Sequence, residues 1–238
     1  MSAPCERALA QLAQNPLHHM GMMYPIRRGT ARILAADARG VLLQEMKSGA
    51  YMLSAKNREA AKDLFGLVDT MSLACMHQDF AAAECAQKFG LSVTLRCHQA
   101  VWPREKAPAV PSSPYCVQTL TADRLDAVAA TYSHDIGRAY LAGRIADGEM
   151  LGAFCGGELA GFIGMHEEGS MGMLEVSPSF QRRGVATLLL SKLIERVLAQ
   201  GLVPFSQFLE NNEPSRKLHA HLGFLISEES IHWLEAST

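Results

Sequence analysis

The stretch from Met171 to Leu190 restricts this chain more than any other. It predicts a strand, a tight turn and a helix in immediate succession. The strand is short and mostly apolar, with Glu175 between Leu174 and Val176. Pro178 ends it, because proline has no N–H to give to a sheet ladder. Gln181, Gly184 and Ala186 follow in a Gln-x-x-Gly-x-Ala spacing. The helix then runs to about Gln200, with Ala186, Leu189, Leu190, Leu193, Ile194, Val197 and Leu198 forming an apolar stripe of helical period.

A turn of this kind can bind an anion. The first turn of a helix carries unpaired N–H groups at the positive end of the helix dipole. Small residues at 184 and 186 let a bulky diphosphate approach the backbone, and Arg182 and Arg183 add positive charge. A plain strand-to-helix turn with two solvated arginines is the competing interpretation, and the residues downstream separate the two.

Leu202 to Leu209 predicts another strand. Asn211 to Phe224 then predicts a short helix closed by Gly223. Gln181-x-x-Gly184-x-Ala186, followed by Asn212, Ser215, Leu218 and Leu222-Gly223-Phe224, resembles the GNAT superfamily of acyl-coenzyme A-dependent acyltransferases. The two-part chain looks most like the glycine N-acyltransferase-like branch. The resemblance covers about Pro114 to Trp233. It implies an α/β fold with a mixed central sheet flanked by helices, and an acyl donor such as acetyl-CoA.

Composition narrows the alternatives. Apolar residues make up 48% and charged residues 19%, with a formal charge of −2, as in an ordinary globular protein. No basic excess suggests nucleic acid, and no run approaches the roughly 20 apolar residues of a membrane span. The N-terminus lacks the charged and apolar blocks of a signal peptide. Six scattered cysteines without a Cys-x-x-Cys pair predict thiols in a reducing, cytoplasmic setting. Of the nine histidines, His18-His19 and His219-x-His221 lie close in sequence, but neither has a recognised ligand pattern, so no metal is expected.

In chain order, residues 3–14 predict a helix ending before Pro16, and 20–24 form an apolar patch ahead of Pro25. Arg32 to Glu45 predicts a hairpin turning at Asp37–Gly40, followed by a strand at 50–54. Asn57 is expected to cap a helix to Leu67, Met71–Cys75 to form a strand, and Asp79 to cap a helix ended by Gly90. Val93–Trp102 closes this half as a strand. Its order matches that of the second half, and Cys85–Leu91 leading to Trp102 echoes Leu218–Phe224 leading to Trp233. Such an echo predicts a divergent, degenerate copy over residues 1–106. Residues 54–61, where a phosphate turn would lie, contain no glycine, so only the second half is expected to bind the donor. The proline-rich segment reads as a linker at 107–114, with the acyltransferase domain over 115–238. There a strand at 115–120, a helix capped by Thr121, a helix at 136–145 and a hairpin turning at Gly156-Gly157 precede the central strand.

Acyl transfer to an amine needs a base, an oxyanion donor and relief of the leaving thiolate. By position, the resemblance assigns main-chain contacts to Leu174 and Val176 and the diphosphate to Gln181, Arg182, Arg183, Gly184, Val185 and Ala186. Asn212 and Ser215 match positions that tie the strand end to the cofactor arm; both could equally cap a helix. Strand alternation turns Glu175 away from Leu174 and Val176, making it the expected general base. Glu167 and Glu168 are alternatives in a solvated turn. Family members often carry a tyrosine that protonates the thiolate where this chain has His219, which could serve as that acid or lie on a helix surface. The acceptor is expected to be a small-molecule amine or amino acid near Tyr132, His134, Asp135, Arg138 and Tyr140, in a monomer or homodimer. An acyl-CoA sensor with little turnover is the alternative.

Overall fold

A computed structural model describes residues 2–110, 112–134 and 136–236. It divides into two compact units: residues 1–101 with 207–238, and residues 102–206. The sequence-based division at the linker instead kept 115–238 together. The difference lies in the last strand, which pairs with strands of the N-terminal half and so carries residues from 207 onward into the first unit.

The first unit opens with helices α1 (Ala3–Leu12) and α2 (Pro16–Arg28). Sequence periodicity missed α2, because two prolines, a glycine and two histidines obscure it. Pro16 sits in the first turn, where its missing N–H costs nothing, and the Asn15 side chain accepts from the His18 N–H. Strands β1 (Ala31–Asp37) and β2 (Gly40–Glu45) form the expected hairpin. Gly40 has φ +144° and an added Cβ would lie 2.2 Å from the Ser54 carbonyl oxygen, so only glycine fits. Strand β3 (Tyr51–Ala55) leads to α3 (Arg58–Phe65), whose Asn57 cap accepts from the Ala60 N–H. Strand β4 (Leu73–Met76) leads to α4 (Asp79–Phe89) and β5 (Leu91–Val101). Gln78, not Asp79, occupies the cap of α4; Asp79 has turned to His232 at 2.8 Å.

The second unit contains β6 (Cys116–Thr119), α5 (Leu125–Thr131), α6 (Arg138–Ala146), β7 (Met150–Cys155), β8 (Glu158–Met165), β9 (Met171–Val176) and α7 (Val185–Ala199). Thr121 does not cap a helix as expected. Its hydroxyl goes to Asp123, and one turn of 3₁₀-helix precedes α5. Strand β10 (Phe205–Leu209) begins in this unit. Beyond it, α8 (Glu213–Leu222) and β11 (Leu225–Ala236) belong to the first unit.

Both units are mixed sheets flanked by helices. In the first, the order is β1-β2-β3-β4-β11-β5, with β3–β4 parallel. In the second, β9, β8, β7 and β6 are antiparallel neighbours and β10 joins β9 in parallel. The element order strand-strand-strand-helix-strand-helix-strand occurs twice, as β1–β5 with α3 and α4, and as β7–β11 with α7 and α8. The first core gathers Leu42, Leu53, Leu64, Phe65, Met76 and Leu234; the second gathers Val128, Leu141, Ile145, Met150, Phe162 and Met173. Helix α7 buries Val185, Leu188, Leu189, Leu190, Leu193, Ile194 and Val197. Such side chains contribute about 1.5–3 kcal/mol each on burial, which anchors the turn that precedes them.

Candidate active site

The stretch from β9 to α7 departs from regular geometry at two points. Among the described residues, Met173 (φ 51°) and Arg182 (φ 60°) are the non-glycine residues with positive φ. An L-residue pays roughly 1–2 kcal/mol for the left-handed region, a cost the rest of the fold offsets. At Met173 the cause is a β-bulge. Phe162 pairs with Glu175 and Gly164 with Gly172, so Met173 and Leu174 together oppose Ile163. The bulge lets Met173 join the core while Leu174, Glu175 and Val176 are each half-buried.

Simple alternation therefore does not run through this strand, yet Glu175 keeps a defined face. It lies opposite Phe162, and directly opposed residues share a face. Phe162 belongs to the cluster that Tyr132, Leu125 and Tyr140 pack against, so Glu175 stands at the rim of the α5–α6 side. Its Oε2 accepts from the Ser133 hydroxyl at 2.7 Å and the Ser133 main-chain N–H at 3.2 Å. Ser133 was not singled out in the sequence. It lies in an irregular loop where neither periodicity nor a motif marks a partner. Beside them, the Tyr132 phenol is pushed up to about 12, first by burial and then by the Glu175 charge. It stays a neutral hydroxyl.

On the other edge of β9, the register with β10 is a single parallel pair, Ser206 with Met171. The pairing does not continue along Met173–Val176 within this unit. The Ser177 N–H returns to the Ala160 carbonyl at 3.0 Å, and the Gln181 side chain donates to the Val176 carbonyl at 3.2 Å. Gln181 thus ties the turn back to the strand with its amide.

Gly184 caps α7 with φ +81°, no side chain bonds the helix N-terminus, and nothing lies within 4 Å of where a Cβ would point. The first internal bond of the helix is from the Leu188 N–H to the Gly184 carbonyl. The N–H groups of Val185, Ala186 and Thr187 precede that bond and have no intrahelical acceptor. Arg182 and Arg183 are exposed on the same turn, Arg183 with its guanidinium 5.9 Å from the Phe180 ring. The counterpart in the first unit is closed: Asn57 caps α3 with its own side chain.

Around the expected acceptor region, Tyr140 hydrogen-bonds His166 Nδ1 at 3.1 Å and accepts from the Glu167 N–H at 3.3 Å. Burial and then the Glu168 charge push its phenol up. Arg138 pairs with Asp126, and His134 meets the Tyr132 ring edge at 5.5 Å. Asp135 lies outside the described residues. The turn before β9 is less open than expected: Glu168 is buried and accepts from Ser170, and Glu167 lies 3.6 Å from the buried Arg144.

The remaining candidates lie in the first unit. Asn212 caps α8, its Oδ1 accepting from the Ser215 N–H at 3.0 Å. His219 is 4% exposed, stacked on Phe208 and edge-on to Phe224. Its Nδ1 hydrogen donates to the Ser215 carbonyl at 2.8 Å, which leaves Nε2 with a lone pair and no partner among the described residues. Burial pushes its pKa down, with the Ser215 carbonyl opposing. A neutral imidazole in this tautomer accepts a proton at Nε2 and has none to give there. The acid expected from the sequence is therefore not supported by its local geometry.

Residues 117–224 match the family model described as Acetyltransferase (GNAT) family. A solved structure of a Drosophila protein aligns with TM-score 0.66 and 15% identity, covering 100% of this chain and 97% of that one. A GNAT-family protein of Novosphingobium aromaticivorans aligns at 0.55 with 17% identity, covering 99% and 97%. A GNAT-family acetyltransferase of Colwellia psychrerythraea aligns at 0.52 with 17% identity, covering 95% and 97%. These likenesses are of fold. A search of curated proteins gave no match. Among the described residues, no helix is long and apolar enough to cross a membrane.

Proposed function

Because residues 117–224 match the model of the GNAT acetyltransferase family, we propose that the chain is an acyl-CoA-dependent N-acyltransferase. It moves an acyl group, acetyl foremost, from the thioester of acyl-CoA to the amine of a small molecule or amino acid by direct attack. The observation that carries this is the open N-terminus of α7 behind Gly184, directly after a strand bent by a bulge.

The diphosphate of the donor sits at the N–H groups of Val185 and Ala186, drawn by the helix dipole and by Arg182 and Arg183. Gly184 contributes the backbone conformation, and Gln181 keeps the turn against Val176. Main-chain groups at Leu174 and Val176 hold the pantetheine arm, and a backbone N–H on this edge stabilises the oxyanion of the tetrahedral intermediate. Glu175, oriented by Ser133, takes the proton of the attacking amine directly or through water. The C–N bond forms, the C–S bond breaks, and the thiolate leaves. With an ordinary thiol pKa of about 8.5, a thiolate is a workable leaving group without a dedicated acid. Asn212 and Ser215 form the cap of α8, and His219 is a packed neutral ring rather than the acid. Six thiols without a disulfide among the described residues fit a reducing cytoplasm.

Calorimetric titration with acetyl-CoA and longer acyl-CoAs tests the assignment. One site per chain is expected, and Gly184→Glu should weaken binding by more than about tenfold, since it places a carboxylate against the diphosphate. A folded Gly184→Glu variant that binds like wild type would sink the placement, and no binding by wild type would remove the donor altogether.

A further inference from the structure

Three histidines distant in sequence converge in the first unit, and none of them belongs to the groups assigned above. His18 and His19 stand in the first turn of α2, and His77 follows β4. Their ring centroids are 4.9–5.3 Å apart, and each ring offers a nitrogen within 4.8 Å of the others. His18 and His77 are 3% and 2% exposed.

The hydrogen bonds orient two of the rings. His18 Nε2 donates to the His77 carbonyl at 2.8 Å, leaving a buried Nδ1 lone pair with no partner among the described residues. His19 Nδ1 lies 3.1 Å from the Leu12 carbonyl, to which it donates, leaving Nε2 to accept from the Ser54 hydroxyl at 2.9 Å. That hydroxyl in turn accepts from Gln78. A histidine ligand characteristically has its second ring nitrogen fixed in this way by a carbonyl. For His77, neither ring nitrogen makes a hydrogen bond of ordinary geometry. Buried polar atoms in a folded protein are rarely left so. The carboxylate of Glu229, on β11, is 3.6 Å from His18 Nε2 and adds negative charge at the edge of the cluster.

We propose that His18, His19 and His77 form a binding site for one divalent transition-metal ion of the zinc type. Three imidazoles supply the borderline-soft nitrogen ligands that zinc, cobalt and nickel favour, and a fourth position remains for water or another oxygen donor. Bonds of about 2.0–2.1 Å to a tetrahedral ion draw the three nitrogens closer than they stand, which side-chain rotation supplies. His18 reaches the ion through Nδ1, His19 through Nε2 by releasing the Ser54 hydroxyl, and His77 through either nitrogen. The site would staple α2 to the end of β4.

The test uses the full chain without a polyhistidine tag, stripped with chelator. Titration with zinc chloride should show one ion per chain and a raised melting temperature, and cobalt should give the intense visible absorption of a four-coordinate site. Removing a residue that merely supports a ligand costs about 10–100-fold in affinity, so His77→Gln and His18→Gln should each lose more than that. His221→Ala, exposed on α8, should bind normally. Absence of stoichiometric binding, or undiminished binding by both folded variants, would overturn the site. Should those variants fail to fold, X-ray absorption at the zinc edge of the wild-type complex decides: three imidazoles support it, and a thiolate- or carboxylate-dominated shell refutes it.

Discussion

Glu175 shows how one side chain depends on distant neighbours. Its identity and its place between Leu174 and Val176 are local, but its orientation comes from Ser133, 42 positions away, and from the bulge opposite Ile163. A positioned base contributes about 10²–10⁴-fold to a proton-transfer step. Glu175→Gln is therefore expected to lower kcat by that order while acetyl-CoA affinity stays within about twofold. An unaltered kcat in steady-state assays would take Glu175 out of the mechanism. Gly184 was read as small enough to admit a diphosphate; the fold adds that its φ of +81° is one that side-chain-bearing residues rarely adopt. His219 illustrates the converse. Histidine chemistry permits an acid, but burial between Phe208 and Phe224 and the bond to the Ser215 carbonyl favour a neutral ring.

At the scale of elements, α3 and α7 differ in how their N-termini are satisfied. Asn57 closes α3 with a side-chain oxygen, whereas Gly184 leaves α7 open. Asn57→Ala should cost about 1 kcal/mol of stability, measurable in urea unfolding, and should leave the acyl-CoA stoichiometry at one. A second calorimetric site in that variant would mean that the cap alone had blocked α3. The Asn57 cap was legible in the sequence, as were the glycine ends of α4 and α8, because capping involves residues three or four apart, whereas the caps expected at Thr121 and Asp79 did not form. Helix α2 was not legible. Its apolar positions Met20, Met22, Met23, Tyr24 and Ile26 are buried nearly all round, so no polar face marks a helical period. The bulge in β9 was equally hidden, since it exists only in register with β8.

For the whole molecule, buried histidines tie stability to pH. His219 and His232 are both pushed below 6.5, chiefly by burial, while Asp79 partly opposes this at His232. As pH falls below about 6.5 the unfolded chain takes up protons before the folded one does. The stability these rings contribute is thus fully present above that pH and is lost as pH falls through the window beneath it. Urea midpoints should be lower at pH about 5.5 than at about 7.5 with a similar slope; a midpoint that rose on acidification would contradict the burial of these rings.

Periodicity, caps and turn residues were enough to read most strands and helices, the α/β class and the strand–turn–helix from Met171 to Leu190, because each depends on neighbours within a few positions. Gln181-x-x-Gly184-x-Ala186 and Leu222-Gly223-Phe224 carried the resemblance to the GNAT superfamily before any coordinates were needed, and the family model matches residues 117–224. Other features needed the folded chain: β11 paired between β4 and β5, Ser133 on Glu175, and His77 beside His18 and His19. Each joins residues far apart along the chain. Such contacts follow from which buried faces and strand edges meet in three dimensions, and no local pattern of residues encodes that choice.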